Sequence, residues 1–205
     1  LHGMFSDVKY PSIAGTSTSR DFVEFPSQVH EMGATWPSVL QSYAVHWQTG
    51  ERMPQALLDK VIAASKFNQG FATTEYLAAA LLDMDWHTLT TADNIQDVNA
   101  FETKMMDKIG LIPEILPRYR STYYSHIFDG GYAAGYYVYI WAEVLDADAF
   151  SVFKKNGIFD QKTAQSFRDN ILSKGGTEHP MTLYKRFRGQ EPTIDALLER
   201  NGIKH

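Results

Sequence analysis

Apolar residues recur at helical spacing along most of this chain, and strand-like alternation is scarce. Leu57, Leu58, Val61, Ile62 and Ser65 trace one such stripe over 54–67, with Pro54 at a first-turn position. An Ala- and Leu-rich stretch predicts a helix over 71–87, and another is predicted over 98–110. Upstream, Asp21 is a candidate N-cap for a helix reaching about Trp36, kinked by the internal Pro26. Pro37 opens a further helical stretch to about Trp47, and Gly50 and Pro54 punctuate the chain beyond it. Pro113 and Pro117 mark a loop, after which an aromatic helix is predicted from about Gly131 to Lys155. Shorter helices are predicted near 160–173, 180–187 and 192–201. Residues 5–20 carry Pro11, Gly15 and the run Thr16-Ser17-Thr18-Ser19, turn formers with little apolar period, and read as loop. The pattern predicts an all-α, multi-helix fold in one domain over 1–205, without repeat, low-complexity segment or linker.

Composition narrows the partners. Of 205 residues, 44% are hydrophobic and 21% charged, close to the globular norm, so long disorder is not expected. A net charge of −5 provides no basic field for phosphate backbones, which argues against nucleic acid as a partner. No apolar run approaches the length of a membrane span, so no membrane partner is expected. Cysteine is absent, which excludes disulfides, thiolate metal ligands and a Cys nucleophile. A Cys-free chain fits cytoplasm and periplasm equally.

Several residues could carry chemistry. His30-Glu31-Met32-Gly33-Ala34 superficially matches the H-E-x-x-H zinc motif, which works because two His at i and i+4 face one way on a helix. Position 34 is Ala, so the second ligand is missing and the match fails. Glu24 precedes a proline on a mostly apolar stretch, with Gln28 and Glu31 on its face at helical spacing. Two readings of Glu24 stay open on the residues alone: a first-turn carboxylate stabilised by the helix dipole, or a metal ligand. Tyr132, Tyr136 and Tyr139 fall at i, i+4 and i+7, which predicts three phenols on one helix face. Phenols fixed in a dry cleft can stabilise an oxyanion, and an aromatic packing stripe is the competing reading. His126 and the pair Gly130-Gly131 lie just upstream, and glycines there allow close approach and loop movement. No Gly-Lys-Ser/Thr is found after them, so the glycines do not form a phosphate loop.

Taken together, separate blocks resemble the thimet oligopeptidase and peptidyl-dipeptidase family of zinc metallopeptidases. Leu1-His2-Gly3-Met4-Phe5 resembles the continuation of that family's zinc-motif helix. Asp21-Phe22-Val23-Glu24-Phe25-Pro26-Ser27-Gln28 resembles its third-ligand segment. The segment from His126 through Gly130-Gly131-Tyr132-Ala133-Ala134-Gly135-Tyr136-Tyr137 to Tyr139 resembles its substrate loop and helix. Gly175-Gly176 and Arg186-Phe187-Arg188-Gly189-Gln190-Glu191-Pro192 resemble its ending, so the resemblance covers essentially the whole chain. The tyrosine-loop string looks most like the bacterial, dipeptide-releasing branch of the family.

The resemblance implies zinc-dependent hydrolysis of short peptides, with release of C-terminal dipeptides. Glu24 would be the third ligand of one Zn²⁺, and Glu31 would sit behind a ligating His. Tyr139 would hydrogen-bond the oxyanion. His126 would support catalysis, Tyr132 and Tyr136 would bind substrate, and Gly130 and Gly131 would give a mobile substrate loop. Neither ligating histidine of the family motif, nor its general-base Glu, occurs in this chain; His2 comes after them in the family pattern. The chain then reads as a C-terminal piece of the catalytic domain, starting just after the motif, whose partners are short peptides and the N-terminal part of the same polypeptide. A bacterial cytoplasmic or periplasmic location is expected. The competing class is a non-catalytic helical module whose tyrosine groove holds peptide without metal. A catalytic zinc needs three protein ligands, so these residues alone are expected to hydrolyse no peptide even with zinc supplied. Turnover by the purified chain in a zinc-loaded assay would overturn that expectation.

Overall fold

The computed structural model describes residues 1–94 and 97–203. The described residues are helical, with an isolated antiparallel bridge between Val45 and Arg52 and no longer strand. In chain order the helices are α1 (Arg20–Val23), α2 (Phe25–Ala34), α3 (Pro37–Tyr43), α4 (Gln55–Ala64), α5 (Gln69–His87) and α6 (Val98–Lys108). They continue as α7 (Ser125–Phe128), α8 (Val138–Asn156), α9 (Gln161–Phe167), α10 (Pro180–Arg188) and α11 (Asp195–Arg200). The all-α expectation holds.

Two predicted helices are differently built. The stretch from Asp21 is not one kinked helix: it breaks at Glu24 into α1 and α2, and Pro26 sits in the first turn of α2. A proline has no N–H to give, and the first turn is where that loss costs nothing. Ser19, rather than Asp21, occupies the N-cap of α1, without a side-chain cap bond. The aromatic helix begins at Val138 rather than Gly131. Gly131 (φ 78°) and Ala134 (φ 50°) are left-handed, a conformation no right-handed helix can contain. Elsewhere local chemistry fixes the ends. Asp97 caps α6 by accepting from the Asn99 and Ala100 N–H groups, and Asp160 caps α9 by accepting from Thr163.

The chain forms two compact units, one of Leu1–Phe67 with Ile140–His205, the other Asn68–Tyr139. In the first, aromatic rings dominate the core. Phe25, fully buried, meets Phe167 at 5.9 Å and Tyr184 at 5.5 Å between ring centroids. Leu145, Ala149, Ile171 and Leu183 fill the space around them. The loop before α1 is docked tightly: a Cβ at Gly175 would stand 2.0 Å from the Ile13 carbonyl oxygen, and one at Gly176 2.4 Å from that of Ser17. Only glycine fits there.

Two buried aspartates of α8 are paired by arginines of the last helices. Asp148 accepts from Arg188 Nε at 2.8 Å and Nη2 at 3.0 Å, and from the Tyr184 hydroxyl at 2.6 Å. Asp146 contacts Arg200 Nη1, which also meets Met32 Sδ at 3.0 Å. Arg200 is shared with Glu143, whose carboxyl burial raises above its ordinary range. Burial pushes the Asp146 carboxyl up to about 7 against the pull of Arg200, and Glu143 and Glu31 push the same way. In the second unit, Trp86 packs on Phe101 at 4.2 Å and donates to Ser121 Oγ at 2.8 Å. Buried Glu102 accepts from Arg120 and from the Ser121 N–H.

Folded Asp146 holds its proton up to about 7, whereas the unfolded carboxyl releases it near 3.8. Between those values the folded state binds more protons, so this group's contribution is full at low pH and is lost as pH rises through 7. Asp146→Asn is therefore expected to remove a fall in stability, relative to wild type, of a few kcal/mol across that window. Urea unfolding of both proteins from pH 4 to 8 measures it, and parallel pH profiles would disprove it.

Candidate active site

The second unit gathers most of the residues that the sequence singles out. His126 lies on α7, Tyr139 is the second residue of α8, and Tyr132 and Tyr136 lie in the turns between. The three phenols therefore do not share one helix face as their spacing predicts. The turns bring them together instead. Tyr132 stacks on Tyr139 at 5.5 Å, and Tyr136 meets Tyr139 edge-on at 5.2 Å. The His126 ring lies 6.1 Å from Tyr132, 5.6 Å from Tyr136 and 6.4 Å from Tyr139. Tyr119 closes the group at 4.9 Å from His126. His126 Nδ1 is buried and makes no hydrogen bond. Tyr136 is buried, and burial pushes its phenol up to about 12 while Arg118 pulls the other way. It stays a hydrogen-bond donor at any ordinary pH.

Backbone bonds hold the turn. Gly130 N–H donates to Ser125 O at 2.6 Å, Tyr132 N–H to His126 O at 2.9 Å, and Gly135 N–H to Tyr132 O at 2.8 Å. The Tyr76 hydroxyl donates to Tyr136 O at 2.6 Å. The Asp83 carboxylate accepts from the Ala134 and Tyr136 N–H groups. Gly130 is required sterically: a Cβ there would stand 2.9 Å from His126 Cα and 3.0 Å from its carbonyl oxygen. Gly131 is required conformationally by its positive φ.

Glu24 belongs to the first unit. It is half-buried at the junction of α1 and α2, where its carbonyl accepts from the Gln28 N–H at 3.1 Å and the Ser27 hydroxyl at 2.8 Å. Glu31 is exposed and close enough to Glu143 and Asp146 to raise both carboxyls. His30 engages the Pro26 carbonyl through Nδ1 at 2.6 Å, the local contact of an ordinary helical histidine. His2 is buried, both its ring nitrogens lack a hydrogen bond, and burial lowers its basicity. Among the described residues no group of three or more His, Cys, Asp or Glu could hold a metal ion. The described residues by themselves therefore do not fit a zinc ion.

An apolar cleft of about 490 Å³ lies in the first unit and is lined mainly by Val29, Phe150, Phe153, Ile158 and Phe167. It contains none of the residues that the sequence proposes as catalytic. Tyr119, Tyr124, Tyr76 and Asp83 are site residues that sequence reasoning missed. Only Asp83 leaves a local signal, an acid directly after the apolar run 77–82 and four residues before His87.

The profile of peptidase family M3 matches residues 1–203, and the chain belongs to that family. Peptidases of this family are zinc metallopeptidases in general. The dipeptidyl carboxypeptidase of Escherichia coli (strain K12) is 45% identical over 204 residues, 99% of this chain and 30% of the relative. That of Salmonella typhimurium is 46% identical over the same shares. Oligopeptidase A of Escherichia coli (strain K12) is 42% identical over 205 residues, the whole chain and again 30% of the relative. The chain spans about 30% of the length of the curated relatives it matches.

The crowding at Gly130 generates a test. Gly130→Ala is expected to displace the turn and cost about 1–3 kcal/mol. It should also change the near-ultraviolet circular dichroism of the tyrosine cluster. An unchanged spectrum with an unchanged urea midpoint would show that the turn has room to spare.

Proposed function

We propose that this chain is the C-terminal part of the catalytic domain of a zinc peptidyl-dipeptidase that hydrolyses short peptides and releases dipeptides from their C-termini. The observation that carries the reading is the convergence of His126, Tyr132, Tyr136 and Tyr139, with His126 Nδ1 buried and unbonded. Fixed phenols are donors without a reorganisation cost, suited to the charge that develops on a scissile carbonyl oxygen. In this reading the Tyr139 hydroxyl donates to that oxygen, and His126 supports the same charge. Tyr132 and Tyr136 hold the peptide, and Gly130 and Gly131, without side chains, let the backbone of the turn come close to it. The names of the relatives at 45% and 46% identity favour dipeptide release over the oligopeptidase alternative.

Glu24 is proposed as one zinc ligand, and Glu31 as a residue behind the ligand set. The remaining ligands and the general base come from polypeptide outside this chain, which is also the proposed partner of its exposed apolar residues, such as Trp47 and Phe67. Zinc, once bound, supplies a Lewis acid and an activated water.

In the longer protein containing this chain, Tyr139→Phe removes one donor and is expected to lower kcat about 10²–10³-fold. KM should change little, because the bond is made to the transition state. An unaltered kcat against a short peptide would sink the proposed role of Tyr139. Peptide binding that persists without turnover, unaffected by a metal chelator, would favour the non-catalytic module instead.

A further inference from the structure

We propose that Asp83 is a positioning residue whose carboxylate sets the backbone of the turn that carries Tyr132, Tyr136 and Tyr139. Asp83 lies on α5, next to the buried Leu82, and is 1% exposed. A carboxylate taken out of water in such a place costs several kcal/mol unless donors meet it. Both oxygens are met. Oδ1 accepts the Ala134 N–H at 2.9 Å, and Oδ2 accepts the Tyr136 N–H at 2.8 Å. His87 Nδ1 lies 2.8 Å from Oδ1 as the remaining partner. An acid serving only its own helix would have stopped at His87, one turn along. The contacts to residues 51 and 53 positions away are what tie α5 to the turn.

The turn requires such a tie. Ala134 has φ 50°, left-handed for a residue with a Cβ, a conformation that L-residues disfavour. Strain of this kind persists where the surroundings over-determine it. The N–H of the strained residue is the one that Asp83 accepts. The peptide groups on either side of the Tyr136 Cα are both held, the N–H by Asp83 and the carbonyl by the Tyr76 hydroxyl at 2.6 Å. Both holders stand on α5, seven residues and two turns apart, so they project from the same helix face. Asp83 touches no substrate in this arrangement and acts through the phenols whose backbone it aims. Its consequence for turnover rests on the catalytic reading of Tyr139; its structural role does not.

Amide hydrogen exchange, measured residue by residue on this chain, tests the structural role. In Asp83→Asn one of the two turn N–H groups faces a donor instead of an oxygen. The Ala134 and Tyr136 amides are then expected to exchange about tenfold faster or more, with those of α6 unchanged. Uniform acceleration in every helix would make Asp83 an ordinary stability residue and overturn the proposal, as would unchanged exchange. If the variant does not fold, wild type decides: Ala134 and Tyr136 must be better protected than Ala133, and equal protection overturns the anchor. In the longer protein, Asp83→Asn should lower kcat more than it raises KM. A normal kcat in Tyr139→Phe removes the catalytic reading and leaves the exchange result standing. Unchanged exchange beside an impaired Tyr139→Phe removes the anchor alone.

Discussion

A carboxylate out of water must find donors, and each unit of this structure is arranged around meeting that demand. Asp83, Glu102, Asp146 and Asp148 are all buried, at 1 to 2% exposure. None is answered only within its own helix. Asp148 is met by Arg188 and Tyr184 of α10, and Asp146 by Arg200 of α11. Glu102 is met by Arg120 and the Ser121 N–H, and Asp83 by the turn ahead of α8. Apolar burial supplies most of the driving force for packing, but it is non-directional. A hydrogen-bonded buried charge has one acceptable geometry, and removing a partner leaves it uncompensated. The acids therefore determine which segment docks where, while the aromatic rings of the core determine how tightly.

This division explains what can be read from the sequence. The apolar stripe at Leu57, Leu58, Val61 and Ile62 predicts α4 because helical period is a local property. The Ala- and Leu-rich stretch predicts α5 to within a few residues for the same reason. The break at Glu24 escapes the pattern because Pro26 suits a helix start as well as a kink, and local residues do not distinguish them. The pattern starts α8 too early because Ala134 bears a side chain that ordinarily avoids the left-handed region. What holds it there lies 51 residues away. Asp83 pairs with backbone N–H groups, which every non-proline residue has, so no complementary side chain marks its target.

The candidate site shows the same contrast. His126, Tyr132, Tyr136 and Tyr139 stand out by residue type, spacing and family resemblance, and they are found together. The expected reason, a common helix face, is replaced by a turn with two left-handed residues. Tyr119 is invisible to the pattern because it sits in a proline-marked loop where no periodicity relates it to His126. Among the described residues Glu24 joins no group of three or more His, Cys, Asp or Glu that could hold a metal ion.

The late start of α8 bears on how this region can change over generations. Inside a helix, one inserted residue turns every later side chain by about 100° and would throw Leu145, Ala149 and Phe150 out of the core. A length change in the short stretch between Gly131 and Tyr137 leaves the α8 register intact. The aromatic lining can thus be lengthened, shortened or re-aimed without refolding the scaffold, provided the two N–H groups still reach Asp83. The tyrosine cluster and the packing of α8 are written in adjacent but separable stretches of chain.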